Sequence, residues 1–65
     1  MTPEFIRHLA RDYAQAIRAN PLAIRDVQEL IHAMNLSQAD LLAAQVSGAD
    51  LKLLLRLAWP DNAAG

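Results

Sequence analysis

Ser37-Gln38-Ala39-Asp40-Leu41 and Ser47-Gly48-Ala49-Asp50-Leu51 share one pattern, S-x-A-D-L, ten residues apart. A serine followed three residues later by an aspartate announces a helix start. The hydroxyl accepts from a first-turn N–H, and the carboxylate bonds back to the cap while favouring the positive end of the helix. Two such starts ten residues apart leave room for one short helix, over about 38–45, and a second from about 48 to Ala58 or Trp59, where Pro60 stops it. Strands have no place in that stretch, and the fold class it predicts is all-α.

The same signals continue towards the N-terminus. Thr2 and Pro3 supply an N-cap hydroxyl and a proline at the first helical position. Ile6, Leu9, Ala10, Tyr13 and Ile17 then recur at three-and-four spacing, with Phe5 and Ala16 widening the apolar face. Arg7, Arg11 and Arg18 fall in a narrow arc opposite, beside Glu4, as a basic stripe. Asn20-Pro21 breaks this helix and caps the next. Ala23, Ile24, Val27, Leu30, Ile31 and Met34 form its apolar stripe, and Arg25, Asp26, Glu29 and His32 its wet side, with Arg25 and Glu29 spaced to pair. Asn35 is placed to end it, because asparagine readily adopts the left-handed conformation. The expectation is one compact domain over 1–65, a bundle of four short helices at about 3–19, 21–34, 38–45 and 48–59, with 60–65 as a tail.

Composition narrows the functions. With no cysteine there is no disulfide, no thiolate nucleophile and no thiolate zinc site. Apolar residues make up 54% of the 65 residues, high for a domain with so much surface per residue, although thirteen of them are alanine. Part of that apolar surface is expected to face a partner. Six basic residues against seven acidic ones leave a net charge of −1, so no global field draws the chain to nucleic acid or membrane. No apolar run approaches the ~18 residues of a membrane span, and no signal-like N-terminus is present, which suggests a cytoplasmic protein.

Catalytic chemistry finds no foothold. Ser37 and Ser47, the only serines, are accounted for as caps. His8 lies one turn from Glu4, and His32 follows Glu29 by three, as exposed histidines beside carboxylates; neither pair has zinc-motif spacing. Gly48 and Gly65 cannot make a phosphate-binding loop. The chain is therefore expected to be no enzyme and to need no metal, cofactor or small-molecule substrate.

Two binding readings follow. The last helix, Leu51-Lys52-Leu53-Leu54-Leu55-Arg56-Leu57-Ala58-Trp59, is apolar nearly all round, with only Lys52 and Arg56 marking a wet edge. A helix of that kind is buried on most sides, and so short a chain has little with which to surround it. This favours a protein-interaction module that self-associates as a homodimer or meets another protein through Leu53, Leu55, Leu57 and Trp59, flanked by Lys52 and Arg56.

The alternative rests on a resemblance. Leu36-Ser37-Gln38-Ala39-Asp40-Leu41 resembles the L-S-Q-x-x-L opening of the first motif helix in Cro/C1-type helix-turn-helix repressors, and Val46-Ser47 the V-S that introduces their recognition helix. The resemblance implies DNA binding. Leu51 and Leu54 would be buried, Gly48, Ala49, Lys52 and Arg56 would face the major groove, and Arg7, Arg11 and Arg18 would touch phosphates. From Ser37 to Ser47 the chain is one residue shorter than that pattern, which turns one motif helix by about 100° relative to the other. The final helix also carries no Asn, Gln, Ser or Thr to read base edges.

Overall fold

A computed structural model of the chain describes residues 2–59. Four helices follow in order: α1 (Pro3–Ala19), α2 (Ala23–Ala33), α3 (Gln38–Ala43) and α4 (Gly48–Leu57), with no strand among the described residues. The all-α bundle is as expected, and the tail from Pro60 lies outside the described residues. α1 packs against each of the other three helices.

α1 starts as its sequence dictates, the Thr2 hydroxyl accepting from the Phe5 N–H at 3.1 Å with Pro3 at the first position. Its buried residues are Ile6, Ala10, Ala14 and Ile17. Ala10 and Ala14 are 1% and 0% exposed, so the middle of this face is a strip of small side chains that lets neighbouring helices come close. The partners supply the bulk: Leu41 of α3 and Leu54 of α4 are the largest fully buried side chains, with Val27, Ile31, Leu36 and Val46 completing the core.

α2 begins at Ala23, two residues later than Asn20-Pro21 suggests. The Asn20 carboxamide oxygen does accept from the Leu22 N–H at 3.1 Å. The next backbone bonds run from Ala23 N to Asn20 O and from Ile24 N to Pro21 O, however, so a tight three-residue turn precedes the α-helix. α2 then closes at Asn35, which takes φ 55°, while the Leu36 N–H reaches back to Ile31 O and the Asn35 N–H to His32 O. This is the Schellman reversal, with Ile31 and Leu36 both buried beneath it.

The identical reversal recurs ten residues on. Gln45 takes φ 64°, the Val46 N–H bonds Leu41 O, the Gln45 N–H bonds Leu42 O, and Leu41 and Val46 are both buried. The S-x-A-D-L echo is thus the second half of a longer structural repeat whose first half is the reversal. Because this reversal begins at Leu42, α3 is six residues long and ends at Ala43, two before the predicted end.

The two serine caps part company. Ser37 forms the full capping box, its hydroxyl accepting from Asp40 N at 3.2 Å and the Asp40 carboxylate from Ser37 N at 2.9 Å. Ser47 makes no side-chain cap bond. Gly48 enters α4 at φ +72°, a left-handed conformation with open space where a Cβ would sit, and this entry leaves the Ser47 hydroxyl without a first-turn N–H. The expected second capping box is therefore absent, and Asp50 has another partner, Arg18.

Two stability consequences are measurable. Ser37→Ala should cost about 1 kcal/mol, whereas Ser47→Ala should cost no more than a few tenths, since a cap that makes no bond has little to lose; equal losses in chemical denaturation would contradict this assignment. Gln45→Gly should stabilise by about 0.5–1 kcal/mol, because glycine accepts the left-handed conformation without the side-chain penalty, and an unchanged or lower thermal midpoint would refute it.

Candidate interaction site

At about 100° per residue, α4 divides into three sectors. Leu54 and Ala58 are buried, Ala49, Lys52 and Arg56 form a narrow exposed edge, and half-buried residues flank it, Leu53 and Leu57 on one side, Leu55 and Trp59 on the other. The four residues expected to make an interface thus do not share one face. Each packs against the core with part of its surface and shows the rest beside the wet edge. Trp59 also walls a depression of about 570 Å³ floored by Ile31, Leu36 and Ala58 and rimmed by His32, Asn35 and Gln38. Lys52 and Arg56 are exposed, and neither has an ion-pair partner among the described residues.

The basic stripe of α1 has another disposition. Arg7 Nη1 donates to Ala44 O at 3.0 Å, placing a cation on a carbonyl at the negative end of α3. Arg18 Nη1 meets Asp50 Oδ1 at 2.8 Å, the one ion pair among the described residues, and it ties α1 to the first turn of α4. Arg11 makes neither kind of bond. Two of the three arginines assigned to phosphate contacts therefore also hold helices together. Gln28, which hydropathy patterning passes over, has a similar role: its Nε2 donates to Leu57 O at 2.7 Å, joining α2 to the last carbonyls of α4. The Arg25–Glu29 pair allowed by spacing is not formed within ion-pair distance.

The most exposed large apolar side chains lie elsewhere: Phe5 (47%), Leu22 (84%), Leu30 (49%) and Leu42 (58%). Phe5 and Leu30, read from spacing as members of core stripes, are corrected here. Phe5 sits about 100° from Ile6 around α1, and Leu30 about 60° from Val27 around α2, on the side opposite Ile31. Both fall past the edge of what the bundle covers. Ala16, expected to widen the α1 face, is likewise exposed.

By helical position Phe5, Ala16, Leu22 and Leu30 fall on one side of the α1–α2 hairpin, whereas Leu42 belongs to α3. The bonds of Arg7 and Arg18 place α3 and α4 on one flank of α1, and that of Gln28 places α4 on one flank of α2. On the opposite flanks lie Leu9, Ala16, Phe5 and Asp12 of α1 and Leu30, Asp26, Ala33 and Leu22 at and before α2. Tyr13 and Met34, joined by a 3.3 Å bond from the phenol to Sδ, mark the seam between the two helices. The outer face of the α1–α2 hairpin is thus apolar along its middle and acidic at Asp12 and Asp26, and no lysine or arginine shares the arc.

A second depression, of about 370 Å³, gathers His8, Ser47, Asp50, Glu4, Arg7 and Arg11. It brings a serine, a histidine and carboxylates to one place, which spacing alone did not foresee. No hydrogen bond joins Ser47 to His8, and Asp50 is engaged by Arg18, so the relay that activates a serine is not assembled. Among the described residues no group of three or more His, Asp or Glu side chains is placed to hold a metal. No helix there is long and apolar enough to cross a membrane. No protein-family model, curated protein or solved structure matches the chain.

Electrostatics at the hairpin seam act on one titratable group, Tyr13. Burial, and secondarily the neighbouring Asp12 carboxylate, push the Tyr13 phenol above its ordinary value of 10.0. The folded chain then holds this proton more tightly than the unfolded chain, so the contribution is intact below about pH 10 and is lost as pH rises through the folded value. Phenolate absorbance from the single tyrosine should develop only above its ordinary value, with stability falling over the same range; Tyr13→Phe should remove that part of the pH dependence. Titration at or below the ordinary value would refute the assignment.

Proposed function

We propose that this chain is a non-enzymatic, cytoplasmic α-helical interaction module that self-associates, with a dimer as the smallest assembly, and serves as a small regulator or adaptor. The observation that supports this best is the exposure of Phe5, Leu22 and Leu30 on one side of the α1–α2 hairpin, each with about half or more of its surface in water, with Leu42 of α3 exposed as well. Single exposed apolar residues are ordinary, but several together on a domain this small are characteristic of a binding surface. The edge of α4 adds to it. Leu53 and Leu57 on one side, and Leu55 and Trp59 on the other, are part-open beside the exposed Lys52 and Arg56, so this edge offers apolar area and charge together. Small helical domains without disulfides or metals often gain stability by association, and this chain has neither cysteine nor a clustered metal-ligand set among its described residues.

The second reading, a helix-turn-helix DNA-binding regulator of the Cro/C1 type, is favoured by one observation. Gly48, Ala49, Lys52 and Arg56, the positions that the resemblance assigns to the major groove, are all exposed. Against it stand the near-neutral charge and the intramolecular bonds of Arg7 and Arg18.

Molar mass measured by light scattering or sedimentation over a concentration series, with and without duplex DNA at low salt, separates the two. Self-association predicts a mass of at least two chains at high micromolar concentration without DNA. A strictly monomeric chain overturns it, and a salt-sensitive DNA complex weakened by Lys52→Ala or Arg56→Ala puts the second reading in its place.

A further inference from the structure

The molecule carries two exposed surfaces of opposite charge, each with apolar residues beside the charges, on opposite sides of α1. One is the α4 edge, with Lys52 and Arg56 set among the part-open Leu53, Leu55 and Trp59. The other is the outer face of the α1–α2 hairpin, with Asp12 and Asp26 set among Phe5, Leu30 and the Tyr13–Met34 seam. Among the described residues none of these four charged groups has an ion-pair partner. The upward pull of Asp12 on the Tyr13 phenol places that carboxylate's field on the seam itself. Each surface lacks what the other presents.

We propose that the occupant of the hairpin face is the α4 edge of a second copy, with Lys52 and Arg56 meeting Asp12 and Asp26 while Leu53, Leu55 and Trp59 cover Phe5 and Leu30. This rests on the self-association reading above and specifies its mode. Because α4 lies on the flank of α1 and α2 away from the hairpin face, the contact joins two different surfaces. It is therefore head-to-tail, leaving one free surface of each kind on every pair. Like-charge repulsion disfavours the two symmetric alternatives, hairpin face on hairpin face and α4 edge on α4 edge. Opposite charges set among apolar groups on the two faces fix partner and orientation together.

Charge exchange tests this with residues that are exposed or part-exposed and outside the core. Two full-length variants are made, Lys52→Glu with Arg56→Glu, and Asp12→Lys with Asp26→Lys, and circular dichroism establishes that each is folded. Each alone should self-associate on the order of 100-fold more weakly than the parent, the effect of several kcal/mol of like-charge contact. Mixed in equal amounts, they should associate again, since each variant retains one native surface and the two reversed surfaces complement each other. If the parent associates but the variants associate equally well, or if both lose association and the mixture does not recover it, the pairing of these two surfaces is wrong while self-association stands. A parent chain that is monomeric without DNA overturns both.

Discussion

Everything in this fold depends on one face of α1. The chain forms no long helix besides it, α3 has only six residues, and helices of that length do not persist in water without tertiary contacts. Ile6, Ala10, Ala14 and Ile17 supply the common surface on which the other three helices rest. The alanines are as important as the isoleucines, because Ala10 and Ala14 are fully covered and a bulky side chain at either would have no room without moving its neighbours. Polar bonds then lock each helix to that arrangement at its ends: Arg7 onto the last turn of α3, Arg18 onto the first turn of α4, Gln28 onto the last turn of α4.

That use of charge explains why a nearly neutral chain can have strongly marked surfaces. The three arginines of α1 all fall on one flank, where two of them make internal contacts, and the opposite flank carries acids alone. The charges of α4 divide in the same way, with Asp50 turned inward to Arg18 and Lys52 and Arg56 left outward. Net charge sums these away, whereas a partner meets them one face at a time.

Most of the fold was legible in the sequence because its signals are local. Thr2-Pro3, Asn35 and the Ser37/Asp40 box act within a few residues, and each governs the helix end it was assigned, whereas Asn20-Pro21 ends α1 but does not cap α2, which starts from Leu22. The Ser47/Asp50 box failed for one local reason and one distant one: the left-handed Gly48 beside the serine, and an arginine from α1 that claimed the aspartate. The candidate surface was less legible. Periodicity ranks Phe5 and Leu30 as core because it registers that they are apolar and near a stripe, but whether a stripe's margin is covered depends on how wide the neighbouring helices are. Here α3 and α4 both sit to one side, and the other margin stays bare. The rest of the helix-four reading was half resolved from sequence, since the number of apolar residues was evident and their division into two flanks was not.

The strongest packing in the bundle, between α1 and α4, joins the first helix to the last. Contacts so far apart in the chain close a large loop, and their reward arrives only after that entropy has been spent. For a chain made from its N-terminus, α1 emerges from the ribosome with its isoleucines uncovered and waits through the synthesis of three further helices for its principal partner. The small strip of Ala10 and Ala14 lessens the hazard of that interval, because it makes the waiting face less sticky than a leucine-lined one would be.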